Sequence, residues 1–444
     1  MGTLQVSHGQ PEPARQRAFH AFPPQCELEL PAARQTVIAA AAALCAQSPR
    51  RTEQADWMRT PESHPGRVLA EAVRADRDWP PFPRAMRDGY ALRAAEAAAA
   101  GKPLPCVGQV RAGALARALP PGVCLEIMTG APVPAGADTV VMIERTWRGE
   151  DGIHFDAPPR RGDNIALPGN ESAAGAVVAA AGRRLTPAVT AVLAQAGCLA
   201  PVVFAAPRVA IIATGDELTP PEQTPGPAQI RNSNGPMLAA LARSVGAEVV
   251  YIAHVADDAA ALRAAIADAC AGAEVVICSG GASVGAHDLL KPVLDSLGAQ
   301  LHFDAVAMRP GHPQIFARLG NQLLFGLPGN PLGALLGFLL LARPALDVLA
   351  GFDAAALSSP FITAEMDFGY HGKALPLVAF RPVRYAAAGA GTPHFKARLQ
   401  EIPYRGSADV AAAAAADAWL MIPPGITELA AGSLVTVLAT GVTA

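Results

Sequence analysis

The chain has 444 residues, 51% of them hydrophobic, and carries 35 Lys plus Arg against 38 Asp plus Glu, a formal net charge of -3. That length exceeds one ordinary core of about 150 residues, so several domains are expected, and the near balance of charge excludes a global basic field that would gather nucleic acid. The seven cysteines form no C-x-x-C pair, and the longest apolar stretches, Val37 to Ala46 and Leu332 to Ala342, fall short of a bilayer span of ~20 residues, so a soluble protein of a reducing cytoplasm without membrane association is expected.

Residues 1–25 mix Gln, Pro, His and Arg without periodicity and read as a flexible tail. An alanine-rich helix is predicted from Pro31 to Gln47, and the prolines of Trp79-Pro80-Pro81-Phe82-Pro83 force an extended path by removing donors and restricting their predecessors. Short strands with turn signals follow at Val107 to Val110, Val123 to Met128, Thr139 to Ile143 and Ile153 to Phe155, a small β unit. A strand over Gly175 to Ala181 and a helix over Thr186 to Ala196 then resume the first pattern. The expected organisation is a discontinuous N-terminal domain, 26–87 and 157–206, around an inserted β domain, 88–156.

Over 207–350 the strands Val209 to Ala213, Glu248 to Ile252, Glu274 to Cys278 and Gln322 to Phe325 alternate with helices near Pro236 to Val245, Asp258 to Ala271, Asp288 to Leu297 and Pro331 to Ala342. That alternation predicts a doubly wound, mostly parallel α/β domain. Over 351–444 strands are expected at Leu377 to Phe380, His394 to Leu399, Ala418 to Ile422 and Leu434 to Leu438, a C-terminal β domain of barrel type.

Three glycine-rich loops follow strands of the α/β domain: Thr214-Gly215-Asp216-Glu217-Leu218, Ser279-Gly280-Gly281-Ala282-Ser283-Val284-Gly285 with Asp288, and Gly326-Leu327-Pro328-Gly329-Asn330-Pro331. Parallel strands deliver such loops to one sheet edge, where backbone N–H groups and helix N-termini favour an oxyanion. Asp216 and Asp288 suit Mg²⁺, which takes one or two carboxylates plus water and substrate phosphates. Each also suits a turn or helix cap, as do Asp257 and Asp258 after the second strand, one of which could face the pocket. Arg309-Pro310-Gly311-His312-Pro313 places a fixed cation and a titratable ring on a stiff loop. In the β unit, Asp88 and Thr129 belong to turn-rich fragments distant in sequence from these loops, so a joint site would lie between domains or between subunits.

In order, Pro80-Pro81-Phe82, Asp88-Gly89-Tyr90-Ala91, Ile127-Met128-Thr129-Gly130-Ala131-Pro132-Val133-Pro134 and the three loops resemble the molybdopterin molybdenumtransferase family, over about residues 28–440. The resemblance implies an elongated homodimer with a site between the α/β domain of one subunit and the β insertion of the other. It implies Mg²⁺-dependent insertion of molybdate into adenylylated molybdopterin with release of AMP. A molybdopterin adenylyltransferase and recipient molybdoenzymes are the implied protein partners. Asp88, Thr129, Asp216, Asp257, Asp258 and Asp288 would serve catalysis, Asp216 and Asp288 as metal ligands. Ser279, Gly280, Gly281, Ser283, Arg309, His312, Pro328, Gly329 and Asn330 would bind substrate.

Against the family pattern, His312 replaces a lysine and Gly333 a serine, and three acidic positions align with Asn164, Val189 and Asn232. Two readings follow, an insertase with altered molybdate affinity or a paralogue that binds, stores or delivers cofactor without inserting metal. A nucleotide-cleaving enzyme on the same α/β domain is a third, resting on fold analogy alone.

Overall fold

The computed structural model describes residues 26–47, 50–56, 66–100, 103–115, 117–281, 289–357, 360–386 and 397–439. Strand β1 (Glu27–Leu28) and helix α1 (Leu30–Gln47) open the chain, and Ala33, Val37, Ala41 and Leu44 form the buried stripe of α1 at helical spacing. Thr52–Gln54 pairs antiparallel with Val202–Phe204, Val73–Arg74 with Val177–Ala179, and Arg84–Ala85 with Ile165–Ala166. Strand ends on either side of residues 88–156 therefore lie against each other. Within that interval Gly89–Leu92 sits between Cys124–Ile127 and Thr139–Met142, with Cys106–Val110 beyond, in a four-stranded sheet.

The largest sheet combines β1 with β2 (Arg208–Thr214), β3 (Glu248–Val255), β4 (Val275–Ser279), β5 (Gln300–Val306), β6 (Pro313–Leu319) and β7 (Gln322–Leu327). Its order is β1-β5-β6-β7-β4-β2-β3, and β7, β4, β2 and β3 are mutually parallel. The doubly wound, mostly parallel expectation holds, with one addition. Strand β6 runs antiparallel to both of its neighbours, β5 and β7, whereas β5 is parallel to β1, and β5 and β6 escape a reading by apolar runs because His302, Asp304, Gln314 and Arg318 interrupt them.

Helices α2 (Asn234–Ser244), α3 (Ala259–Gly272), α4 (Leu290–Ser296), α5 (Pro331–Gly337) and α6 (Arg343–Leu349) pack on the two faces. Central β2 and β4 split their side chains by the strand's period of two. Val209, Ile211, Val275 and Ile277 enter one core with α1, α2, α5 and α6, whereas Ala210, Ile212, Val276 and Cys278 enter another with α3 and α4. Burial on both faces explains why these strands read as continuous apolar runs. Each fully buried Ile or Val contributes about 1.5–3 kcal/mol.

The helix expected from Pro331 to Ala342 continues to Leu349, through a wider π turn at Phe338–Ala342. By length and composition this 19-residue run could cross a membrane. Here it is a core helix, with Leu332, Leu336, Leu340 and Ala345 fully buried.

At the C-terminus, Phe361–Met366, Val378–Tyr385, Arg398–Glu401, Ala418–Ile422 and Leu434–Ala439 close on one another as a five-stranded barrel. The strand expected to begin at His394 starts outside the described residues and is seen from Arg398. Met308–Arg309 bolts the barrel to the large sheet by pairing with Val378–Ala379.

Candidate active site

Strand register assembles the site. Ala213 is opposite Ser279, Ser279 is opposite Leu327, and Thr214 is opposite Val255, so the loops after β2, β3, β4 and β7 leave the sheet at one level. They form one wall of a cleft of about 1250 Å³, and the C-terminal barrel forms the other. Ligands of open α/β sheets bind outside the carboxyl ends of the strands for this geometric reason.

Two of the glycines are required by the crowding of these loops. Gly280 adopts φ +93, and a Cβ there would collide with the Thr214 carbonyl oxygen. Gly281 adopts φ +65, a region that L residues rarely enter. The Gly280 N–H donates to Leu327 O at 3.1 Å, which ties the loop after β4 to the end of β7.

Asp216 and Asp257 stand two residues beyond the paired ends of β2 and β3. Asp257 N–H donates to Asp216 Oδ1 at 3.1 Å, and Asp216 N–H donates to Asp257 Oδ2 at 3.4 Å. This reciprocal pair holds two carboxylates together at the edge of the sheet. Asp257 lines the cleft, whereas Asp258 caps α3 by accepting from Ala261 N–H at 2.8 Å. The two roles that the sequence leaves open for this pair are thereby divided between its members. Asp288 and Ser283 lie outside the described residues.

The cleft is lined by the fixed cations Arg231, Arg309, Lys373 and Arg381 against the carboxylates Glu217 and Asp257. Its side-chain balance favours an anion. Arg309 lies on the loop paired to the barrel, and Arg381 stands over the Tyr370 and Tyr404 rings at 5.2 and 5.8 Å. Burial pushes the Tyr404 phenol above its ordinary pKa, opposed by the nearby charges of Arg309 and Arg381. His312 also lines the cleft, but its Nε2 lies 3.3 Å from Glu27 Oε1, so its cationic form has a carboxylate partner already. Pro328, Gly329 and Asn330 complete the wall, leading into α5 with Pro331 at its start.

Asp88 and Thr129 sit together outside the cleft of their own chain. Thr129 donates to Asp88 Oδ1 twice, from its backbone N–H at 2.7 Å and from Oγ1 at 2.9 Å. These bonds, the backbone one foremost, hold the Asp88 carboxyl below the usual carboxylate range.

Sequence reasoning passed over the barrel residues Lys373, Arg381, Tyr404 and Ser407, and Asn234 at the start of α2, all of which line the cleft. Only Arg381 carries a local signal, as a charge inside the otherwise apolar strand Val378–Val383.

Three family profiles match the chain in order. They are the MoeA N-terminal region (domain I and II) over residues 28–197, the probable molybdopterin binding domain over 210–348, and the MoeA C-terminal region (domain IV) over 376–440. The molybdopterin molybdenumtransferase of Bacillus subtilis is 40% identical over 289 residues, 63% of this chain and 67% of that protein. The protein of the same name from Staphylococcus epidermidis is 35% identical over 382 residues, 84% of this chain and 89% of that one.

The chain belongs to the molybdopterin molybdenumtransferase family.

Its fold is similar to that of the molybdopterin biosynthesis MoeA protein from Pyrococcus horikosii, with a TM-score of 0.66 at 28% identity, covering 93% of this chain and 99% of that one. As a member of the molybdopterin molybdenumtransferase family the chain is a transferase of molybdenum cofactor biosynthesis.

The positions that the sequence resemblance marks as departures each have a local structural role. Asn232 Oδ1 accepts from Gly235 N–H at 2.9 Å, a helix-capping contact that an amide makes as well as a carboxylate. Asn164 adopts φ 55, which asparagine tolerates, and its Nδ2 donates to Val140 O at 2.8 Å. Val189 occupies the third position of the helix Pro187–Gln195, where its N–H meets the capping Thr186 Oγ1 at 3.3 Å and its side chain packs on an apolar cluster. At Gly333 a Cβ would lie 2.6 Å from Pro328 Cγ and 3.1 Å from Gly311 Cα, so the loop bearing Arg309 packs where a larger residue would stand.

Proposed function

We propose that this chain inserts molybdate into adenylylated molybdopterin, with cleavage of the adenylyl pyrophosphate bond and release of AMP. The observation that carries the reading is the single cleft in which glycine-rich strand ends, four fixed cations and Asp257, itself bound to Asp216, converge.

In this reading the amides of Gly281 and Gly329 and the Ser279 hydroxyl cradle phosphate on the pterin side, Gly280 shapes the turn that presents them while its own N–H is held by Leu327 O, and Asn330 completes that wall; Ser283 is expected to bind the same phosphate. Arg309 and His312 receive molybdate beside Pro328, and Arg309 supplies a charge that does not depend on protonation. Arg381 and Lys373 offset, from the barrel side, the negative charge that develops on the phosphates as the pyrophosphate bond breaks. The Asp216–Asp257 pair fits a hard divalent cation, because opposing hydrogen bonds already hold the two carboxylates together. Asp216 and Asp257, with Asp288, would hold Mg²⁺, which when bound neutralises phosphate charge and polarises the bond to be cleaved.

Asp88 and Thr129 act in a partner's cleft, in a homodimer, since they stand apart from the cleft of their own chain. The protein works in the cytoplasm, between a molybdopterin adenylyltransferase and recipient molybdoenzymes.

The test is incubation of purified protein with adenylylated molybdopterin, Mg²⁺ and molybdate. AMP release that requires molybdate is expected. Tight cofactor binding without AMP release would instead make this a protein that stores or delivers cofactor.

A further inference from the structure

Asn234 belongs to none of the three glycine-rich loops, yet it touches two of them. It is the first residue of α2 and only 7% exposed. Its Nδ2 donates at 2.7 Å to Ser279 Oγ, at the end of β4, and at 2.8 Å to Gly329 O, beyond the end of β7. One amide nitrogen thus bridges two loops that approach the ligand from different strands. Its Oδ1 is buried and has no partner, so the side chain's hydrogen bonding to its surroundings is concentrated in that bridge.

The opposite side of the first loop is fixed as well. Gly280 rests on the Thr214 carbonyl with no room for a Cβ, and its N–H is bound to Leu327 O. The Ser279–Gly281 segment is therefore clamped between β2 and the Asn234 amide. Only a side chain of this length with two N–H donors reaches both the Ser279 hydroxyl and the Gly329 carbonyl.

We propose that Asn234 is a positioning residue for the reaction, one that sets the separation of the Ser279–Gly281 and Pro328–Asn330 loops and so the fit of phosphate between them. Asn234 itself does no chemistry. In Asn234→Asp, a carboxylate of the same shape has no proton for the Gly329 carbonyl, and two acceptors face each other across the bridge. The loops separate, and the phosphate cradle widens.

The kinetic part of this inference rests on the function proposed above, but the loop geometry does not. The experiment compares Asn234→Asp and Asn234→Ser with Leu238→Ala, a cavity-forming change at a fully buried position on the same helix. For each, one measures the melting temperature, hydrogen exchange of the segments 279–281 and 328–330, and KM and kcat for molybdate-dependent AMP release.

Asn234→Asp is expected to speed exchange at Gly280 and to raise KM for adenylylated molybdopterin, each by about tenfold, with kcat changed less. Asn234→Ser, whose single hydroxyl reaches at most one loop, should fall between Asp and wild type and covers the case in which the aspartate variant does not fold. Leu238→Ala should lower the melting temperature without moving loop exchange or KM. Unchanged loop exchange in both Asn234 variants would overturn the proposal, as would equal loosening of the loops in Leu238→Ala. Absence of AMP release from the wild type would refute the proposed reaction alone, leaving loop exchange to decide the role of Asn234.

Discussion

Gly311 and Gly333 approach so closely that a Cβ on Gly333 would stand 3.1 Å from Gly311 Cα, while the rigid Pro328 ring blocks it at 2.6 Å. The buried Gln314 reinforces the contact, donating from Nε2 to Gly333 O at 3.2 Å. Gly333→Ser, which introduces the serine that the family resemblance leads one to expect, should therefore destabilise the protein by about 1–3 kcal/mol through overpacking. Chemical denaturation measures this. A serine that left stability unchanged and raised activity would show that the departure had cost the site a hydroxyl.

The two neighbouring aspartates after β3 should separate cleanly. Asp257→Asn halves the charge of the Asp216–Asp257 pair and should weaken Mg²⁺ by at least about tenfold, read from the Mg²⁺ dependence of AMP release. Asp258→Asn should leave both stability and Mg²⁺ dependence near wild type, because asparagine caps a helix as well as aspartate does.

At the Asp88–Thr129 contact the expectation concerns a proton. Thr129 holds the Asp88 carboxyl below its ordinary value by donating from its backbone N–H and its hydroxyl. Thr129→Val removes the hydroxyl bond and should move the Asp88 titration upward, toward the ordinary carboxylate range, in an NMR titration of the side-chain carbon. No movement would mean that the backbone bond alone sets the value.

Asp347 on α6 is buried beside Arg184, 2.9 Å away, with Arg343 at 3.7 Å, and burial raises its carboxyl above the ordinary range. Arg184→Met leaves that carboxylate short of a partner and should cost about 3–5 kcal/mol at neutral pH. The sign of the pH dependence follows from the raised value. The variant should be most stable where Asp347 is protonated, below the ordinary carboxylate range, and lose stability as pH rises through the raised folded pKa.

How far the molecule was legible from its sequence depended on the distance over which each feature is built. Strands β2, β4 and β7 and the glycine loops behind them announce themselves locally, because burial on both faces demands continuous apolar runs and crowded turns demand glycine. Strands β5 and β6 do not, since half-exposed positions in them carry His, Asp and Arg. The barrel wall of the cleft was hidden for another reason. Lys373, Arg381 and Tyr404 reach the cleft only because Met308–Arg309 pairs with Val378–Ala379, a contact made far along the chain. Asn234 was equally silent, as its role depends on two acceptors at 279 and 329 that no local spacing brings near.

The pairing of Arg84–Ala85 with Ile165–Ala166 gives the β unit between them a particular evolutionary freedom. Its entrance and exit are adjacent threads of one ribbon, so the unit is attached to the body as a graft is to a stem. Mutations can enlarge, trim or reorient it without reopening the cores of the large sheet. The half of the proposed site that would hold Asp88 and Thr129 can thus drift or specialise at a pace different from that of the half that holds the glycine loops.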